Sequence, residues 1–171
     1  GGRPKPSPIV RLFSFLIDKS EVDIEIDDGN TKKRFDIFSH ETFDQSSIEK
    51  TSKPPFDSTN EKFIDVPLIQ VAYGRSGDKG NKANIGIISR HEKFYPAICD
   101  FLNGDVVAKC FKKFLEGSVE TYYLPGSCAI NFVLNDVLGG GGPASLRNDP
   151  QGKAYAQILL DQKVPIPEKL L

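Results

Sequence analysis

The sequence predicts an α+β fold, and three observations carry that reading. Apolar residues alternate with polar ones at period two in several short stretches, recur at helical spacing in others, and the two kinds of segment mix without a regular strand-helix repeat. With 171 residues, 39% of them hydrophobic, the chain can bury one sizeable core with trimmings or two small ones.

Residues 9–17, IVRLFSFLI, form an apolar run of strand length, and EVDIEID then alternates Val22, Ile24 and Ile26 with acids. DDGN supplies a turn that tolerates positive φ and RFDIF resumes the alternation, so residues 20–38 predict a hairpin and 1–39 a small β-rich module. Residues 40–62 are polar, contain Pro54-Pro55 and show no sustained periodicity, which reads as a linker or mobile loop. From residue 63 the patterning strengthens. PLIQVAY and NIGIIS are expected as buried strands on either side of the glycine-rich stretch YGRSGDKGNKANIG. Phe94, Ile98, Phe101 and Leu102 share one helical face, with Pro96 tolerable in a first turn, and Asn103-Gly104 closes that helix. Asp105 is expected to cap a second helix carrying Val107, Cys110, Phe111 and Phe114, ended by Gly117. SVETYYL alternates as a strand and stops at Pro125-Gly126. Ile130, Val133, Leu134, Val137 and Leu138 return to a helical period, interrupted by four glycines at 139–142. GKAYAQILL predicts a last helix, ended by the prolines of VPIPEKLL. Residues 63–171 thus read as a sheet with helices packed on it, for which a ferredoxin-like arrangement is the best match.

The formal net charge is -1, which argues against a nucleic-acid binder. The balance is slightly uneven: residues 1–66 hold 10 Lys and Arg against 13 Asp and Glu, and residues 67–171 hold 12 against 10, compatible with a small anionic ligand in the second part. No apolar run approaches the roughly 18 residues of a membrane span, and GGRPKPSP lacks the apolar core of a secretory signal, so a cytoplasmic protein without a membrane partner is expected. The absence of Met and the leading Gly-Gly, which resembles a cloning remnant, suggest a segment of a longer protein. Cys99, Cys110 and Cys128 are odd in number and show no CxxC spacing, so disulfides and a zinc site are not expected, and no metal cofactor is indicated. His40 and His91 lie far apart and read as surface residues.

The chemistry concentrates in two glycine-rich segments, GRSGDKGN and GGGGPASLRNDPQGK. Glycines allow close backbone approach and positive φ, so consecutive N–H groups can converge on an anion, and Arg75, Lys79, Lys82, Arg147 and Lys153 can add charge-assisted hydrogen bonds. Neither segment has the spacing of a P-loop or of the dinucleotide fingerprint. A purely structural account stands beside this one: Arg75 with Asp78 and Arg147 with Asp149 can pair or cap helix ends, while the glycines permit a tight backbone crossing. Catalytic candidates are thin. Ser76, Asp78 and Lys79 cluster, and Ser127 and Cys128 sit at a strand end, but no histidine is placed to activate a nucleophile.

With RSGDKGNKANIG, LPG, AINFVL, LGGGGPASLR and DPQGKAYAQILLD in this order, the chain resembles the C-terminal region of the acyclic terpene utilization (AtuA-like) family over residues 63–171. RPKPSPIVRLFSFLI also looks like the end of that family's larger N-terminal domain. The resemblance implies an AtuA-like ferredoxin-fold domain and a link to breakdown of acyclic terpenes and branched acids through CoA thioesters; it carries over no catalytic residues. The matching positions are Arg75, Ser76, Gly77, Asp78, Lys79 and Gly80, then Asn84 and Gly86, Asn131, the glycines at 139–142 with Gly140 and Gly141 among them, and Ser145, Arg147, Asp149, Gln151, Gly152 and Lys153. Lys82 and Pro143 depart from the family pattern. Two functions follow as expectations. One is a domain that helps bind an acyl-CoA or carboxylate, the two glycine-rich segments meeting as one site around Arg75, Lys79 and Arg147. The other is a non-catalytic domain whose glycine-rich loops form an interface with the rest of the N-terminal domain or a homo-oligomer.

Overall fold

In the computed structural model the described residues are 2–8, 10, 13, 15–35, 44–49 and 51–171. The chain divides into two units, Phe13–Glu49 and the combination of Gly1–Leu12 with Lys50–Leu171.

In the smaller unit, β1 (Glu25–Asp27) pairs antiparallel with β2 (Lys32–Arg34), Glu25 opposite Arg34. The turn between them is fixed by Asp28, whose carboxylate accepts from the N–H groups of Asn30 and Thr31, while Gly29 adopts φ +86°. The expected hairpin therefore forms, but it is short and every residue of both strands is exposed. Of the strand expected over 9–17, residues 9, 11, 12 and 14 lie outside the described residues, and Val10, Phe13, Phe15, Leu16 and Ile17 are exposed and belong to no strand. Residues 36–43, with part of RFDIF and the start of the expected linker, lie outside the described residues too.

The larger unit runs β3 (Phe63–Pro67), α1 (Leu68–Val71), β4 (Ala72–Lys79), β5 (Lys82–Ser89), α2 (Tyr95–Phe101), α3 (Gly104–Cys110), β6 (Val119–Leu124), β7 (Ala129–Leu134), α4 (Tyr155–Leu160) and β8 (Lys163–Pro167). β4, β5, β7 and β6 form one antiparallel four-stranded sheet in that order, and β3 pairs with β8 in a separate ribbon. The fold is α+β, a ferredoxin-like sheet with helices packed on it. The core lies on one face of the sheet, where Ile85, Ile87, Ile130, Phe132 and Leu134 meet Ile98 of α2 and Leu102 just after it, Val107 of α3, the adjoining Phe111, and Tyr155 and Leu159 of α4. Burying each such side chain contributes about 1.5–3 kcal/mol.

Several segments differ from their predicted form, each for a local reason. YGRSGDKGNKANIG is not a loop: β4 and β5 pair through its whole length, Lys79 opposite Lys82, leaving a two-residue turn of Gly80 and Asn81. Gly80, at φ +66°, is the residue a type II′ hairpin turn asks for in its first position. PLIQVAY splits into the end of β3, one helical turn and the start of β4. Ile130 to Leu134 form a strand, because Ile130, Phe132 and Leu134 also fit period two and cross-strand pairing selects that register. The cap of α3 is Asn103, whose Oδ1 accepts from Asp105 and Val106, and Asp105 falls inside the helix. The expected linker is partly docked from Thr51 onward: Thr51 donates its hydroxyl to the Tyr123 carbonyl, Lys53 pairs with Asp100 at 2.7 Å, and Phe56 packs edge-on against Phe63 and Phe101. The prolines after α4 do not simply end it. Pro165 and Pro167 belong to β8, opposite Asp65 and Phe63, and Glu168 N–H donates to the Lys62 carbonyl, so both prolines occupy positions whose absent N–H would point away from β3.

Candidate functional site

Because side chains alternate across a strand, the register that buries Ile85 and Phe132 turns Tyr73, Arg75, Gly77 and Lys79 of β4 to the opposite face. Pairing then lines up three rows on that open face. Tyr73, Ile88, Ala129 and Leu124 make an apolar row; Arg75, Gly86, Asn131 and Tyr122 make the next; Gly77, Asn84, Val133 and Glu120 make the third. Tyr73, Ile88, Tyr122 and Leu124 are each between 42% and 55% exposed, so the face carries an apolar band that no described part of the larger unit covers.

Two depressions share Arg75 and Gly86. One, of about 360 Å³, is lined by the apolar row. The other, of about 350 Å³, is polar and lined by Arg75, Ser76, Gly77, Lys79, Asn84 and Lys153. Among the described residues the Arg75 guanidinium has no hydrogen bond or ion pair, and it is exposed. Lys153 reaches over Gly77, its Nζ 3.9 Å from an Asp78 carboxylate oxygen, and Lys79 Nζ donates to the Asp78 carbonyl at 2.9 Å. Asn84 donates through its side-chain amide to Asn131 Oδ1 at 3.3 Å, a diagonal contact made over the side-chain-free Gly86. At the other end of the apolar row Arg90 stacks on Tyr73, 3.8 Å from the ring centre, and donates to the Ile69 carbonyl. The arrangement can hold an anionic group against two or three cations beside an apolar surface.

The structure thus brings together Arg75, Gly77, Lys79, Asn84, Asn131 and Lys153, with Asp78 at their margin. Ser76 is on the buried side of β4. Its hydroxyl donates to the Gly152 carbonyl at 2.6 Å and accepts from Ala156 N–H at 2.9 Å, capping α4 from a distant strand, so both functions of the oxygen are engaged. Arg147 does not line either depression. Its guanidinium donates to the carbonyls of Val137 and Phe114, lies 5.6 Å from the Phe114 ring and pairs with Glu116 at 3.5 Å. Ser145 accepts from Arg147 N–H, and Asp149 accepts from Lys153 and Ala154 N–H, so this segment caps itself. The anticipated single site around both arginines is not what these contacts describe.

The two glycine-rich segments do meet, through packing. Asn81 accepts Val137 and Leu138 N–H on its carbonyl and Gly140 N–H on its Oδ1 at 2.7 Å. All four glycines at 139–142 have positive φ, and a Cβ on Gly141 would overlap the Gly80 carbonyl. Gly140 and Gly141 therefore serve a backbone crossing. The apolar row and Tyr122 were missed as site residues; their alternation with Arg75 and Asn131 was the available signal. Among the remaining candidates Cys128, with φ +49°, donates weakly to Pro125, and burial pushes the Cys99 thiol up to about 11, opposite to what a nucleophile needs. No group of metal-ligating side chains occurs among the described residues. No described helix is long and apolar enough to cross a membrane.

Comparison with known proteins agrees with this architecture: the family model of the AtuA ferredoxin-like domain matches residues 66–165. No curated protein and no solved structure matches the chain.

Proposed function

The chain belongs to the AtuA ferredoxin-like domain family, and from that premise we propose that it serves a protein of acyclic-terpene or branched-acid catabolism by binding the carboxylate or phosphate of an acyl-type ligand on the open sheet face. The observation that carries this reading is Arg75, a guanidinium without an ion pair among the described residues, placed where the polar and apolar depressions join. Arg presents planar paired donors to a carboxylate or phosphate, and Lys79 and Lys153 add point charges. The Ser76 hydroxyl is committed to α4 and is no free nucleophile, so the domain contributes binding.

The test is a thermal-shift titration of the chain with free CoA, acetyl-CoA and a branched acyl-CoA, repeated on Arg75→Ala and Arg147→Ala. Ligand at a hundredfold excess over Kd stabilises the folded state by about 2.7 kcal/mol. A dose-dependent shift is expected in the parent and in Arg147→Ala, from its lower starting Tm, and is expected to vanish in Arg75→Ala. Equal shifts in the parent and Arg75→Ala would end the proposal. The exposed band of Tyr73, Ile88, Tyr122 and Leu124 supports a second reading, a face that docks another domain or a second copy. Sedimentation equilibrium tests it: concentration-dependent association lost in Leu124→Asp would favour that reading.

A further inference from the structure

Glycine 86 lies in the middle of β5, an interior strand of the sheet, where the residue weakens strand pairing and its presence asks for a reason. The two ordinary reasons fail here. Its φ lies outside the left-handed region that L residues avoid, and a Cβ built on it would meet only the Arg75 carbonyl at 3.8 Å and Asn131 Oδ1 at 4.0 Å, ordinary contact distances. The glycines at 117 and 141 differ, because a Cβ there would run into backbone of the same chain. Gly86 is also shared by the polar and apolar depressions, with Arg75 directly opposite it across the ladder.

We infer that Gly86 is a specificity-determining position at which the apolar tail of a carboxylate ligand crosses the bare backbone, its head on Arg75 and its tail along Tyr73, Ile88, Ala129 and Leu124. The inference rests on the anion-binding reading above and deepens it. The row along which the tail lies spans four strands, about 14 Å at the usual strand spacing, long enough for a medium-length chain and unsuited to a polar one. Charge complementarity fixes the direction, since Arg75, Lys79 and Lys153 gather at one depression, whereas the other has only the shared Arg75 in its lining, with Arg90 at its margin held on the Tyr73 ring and the Ile69 carbonyl. A methyl group at position 86 would stand in the tail's path and leave the head group's donors in place.

The experiment is an NMR titration of the chain with acetate and with octanoate, on the parent, Gly86→Ala and Arg75→Ala, with thermal melts and sedimentation of each. In Gly86→Ala the affinity for octanoate is expected to fall about tenfold or more, acetate affinity to stay unchanged, and Tm to stay level or rise. Equal octanoate affinity in Gly86→Ala and the parent would overturn the inference, as would a lowered Tm, which would give the glycine a role in the fold. Binding of acetate but not octanoate by the parent would overturn the inference and leave the anion site standing. If Arg75→Ala alters neither titration, the underlying reading falls as well. A self-association of the parent abolished by Gly86→Ala would assign the bare strand to a second copy and overturn the ligand assignment.

Discussion

Removing the Ser76 hydroxyl would leave the Ala156 N–H without its partner in a buried setting and the Gly152 carbonyl with only the long bond from Tyr155 N–H at 3.4 Å. Ser76→Ala is therefore expected to destabilise by about 1–3 kcal/mol in urea denaturation, in contrast to a surface serine. Arg147 belongs to the same class, since Arg147→Ala strips the Val137 and Phe114 carbonyls of a charged donor; a loss of about 2–3 kcal/mol is expected. Arg75→Ala should stay within about 0.5 kcal/mol of the parent, because that guanidinium has no partner to lose among the described residues. The contrast between two arginines from similar glycine-rich surroundings was invisible in the sequence. Both read as cations beside permissive backbone, and only the fold reveals that one is stacked on Phe114 while the other stands on an open face.

At the level of elements, the meeting of the β4–β5 turn with the glycines at 139–142 separates two uses of one residue type. Gly80 has positive φ and open space around it, so Gly80→Ala should cost about 1–3 kcal/mol, the backbone penalty of that turn position alone. Gly141→Ala adds a collision with the Gly80 backbone and is expected to lower the urea midpoint distinctly further. Much of the element map was legible: the helices beginning near Tyr95 and Tyr155, the strand SVETYYL and the Pro-Gly stop after it followed from spacing and punctuation. The stretch from Ile130 was not, because Ile130, Val133 and Leu134 fit a helix while Ile130, Phe132 and Leu134 fit a strand, and pairing with β5 decides. The glycine-rich hairpin escaped for a related reason. Glycine has poor strand propensity, so its composition pointed to a loop, while partners on β7 and β4 hold the extended form.

For the whole molecule, the buried Cys99 links folding to alkaline pH. Burial raises its pKa from 9.0 to about 11 in the native state, so between these values the folded chain holds more protons than the unfolded one and stability must fall as pH rises through that window. Denaturation midpoints should decline from pH 9 to 11 relative to pH 8, and decline less in Cys99→Ala; burial also shifts Tyr95, Cys110, Tyr123 and Tyr155 upward and leaves a residual slope. The prolines of β8 have an effect of a different kind. With no N–H to offer at 165 or 167, the side of β8 turned away from β3 has a broken row of donors. A stray strand laid alongside would bring its own carbonyls to two positions that offer no donor, so that margin discourages strand addition, and a long-lived concentrated solution of this chain should not thread together through it.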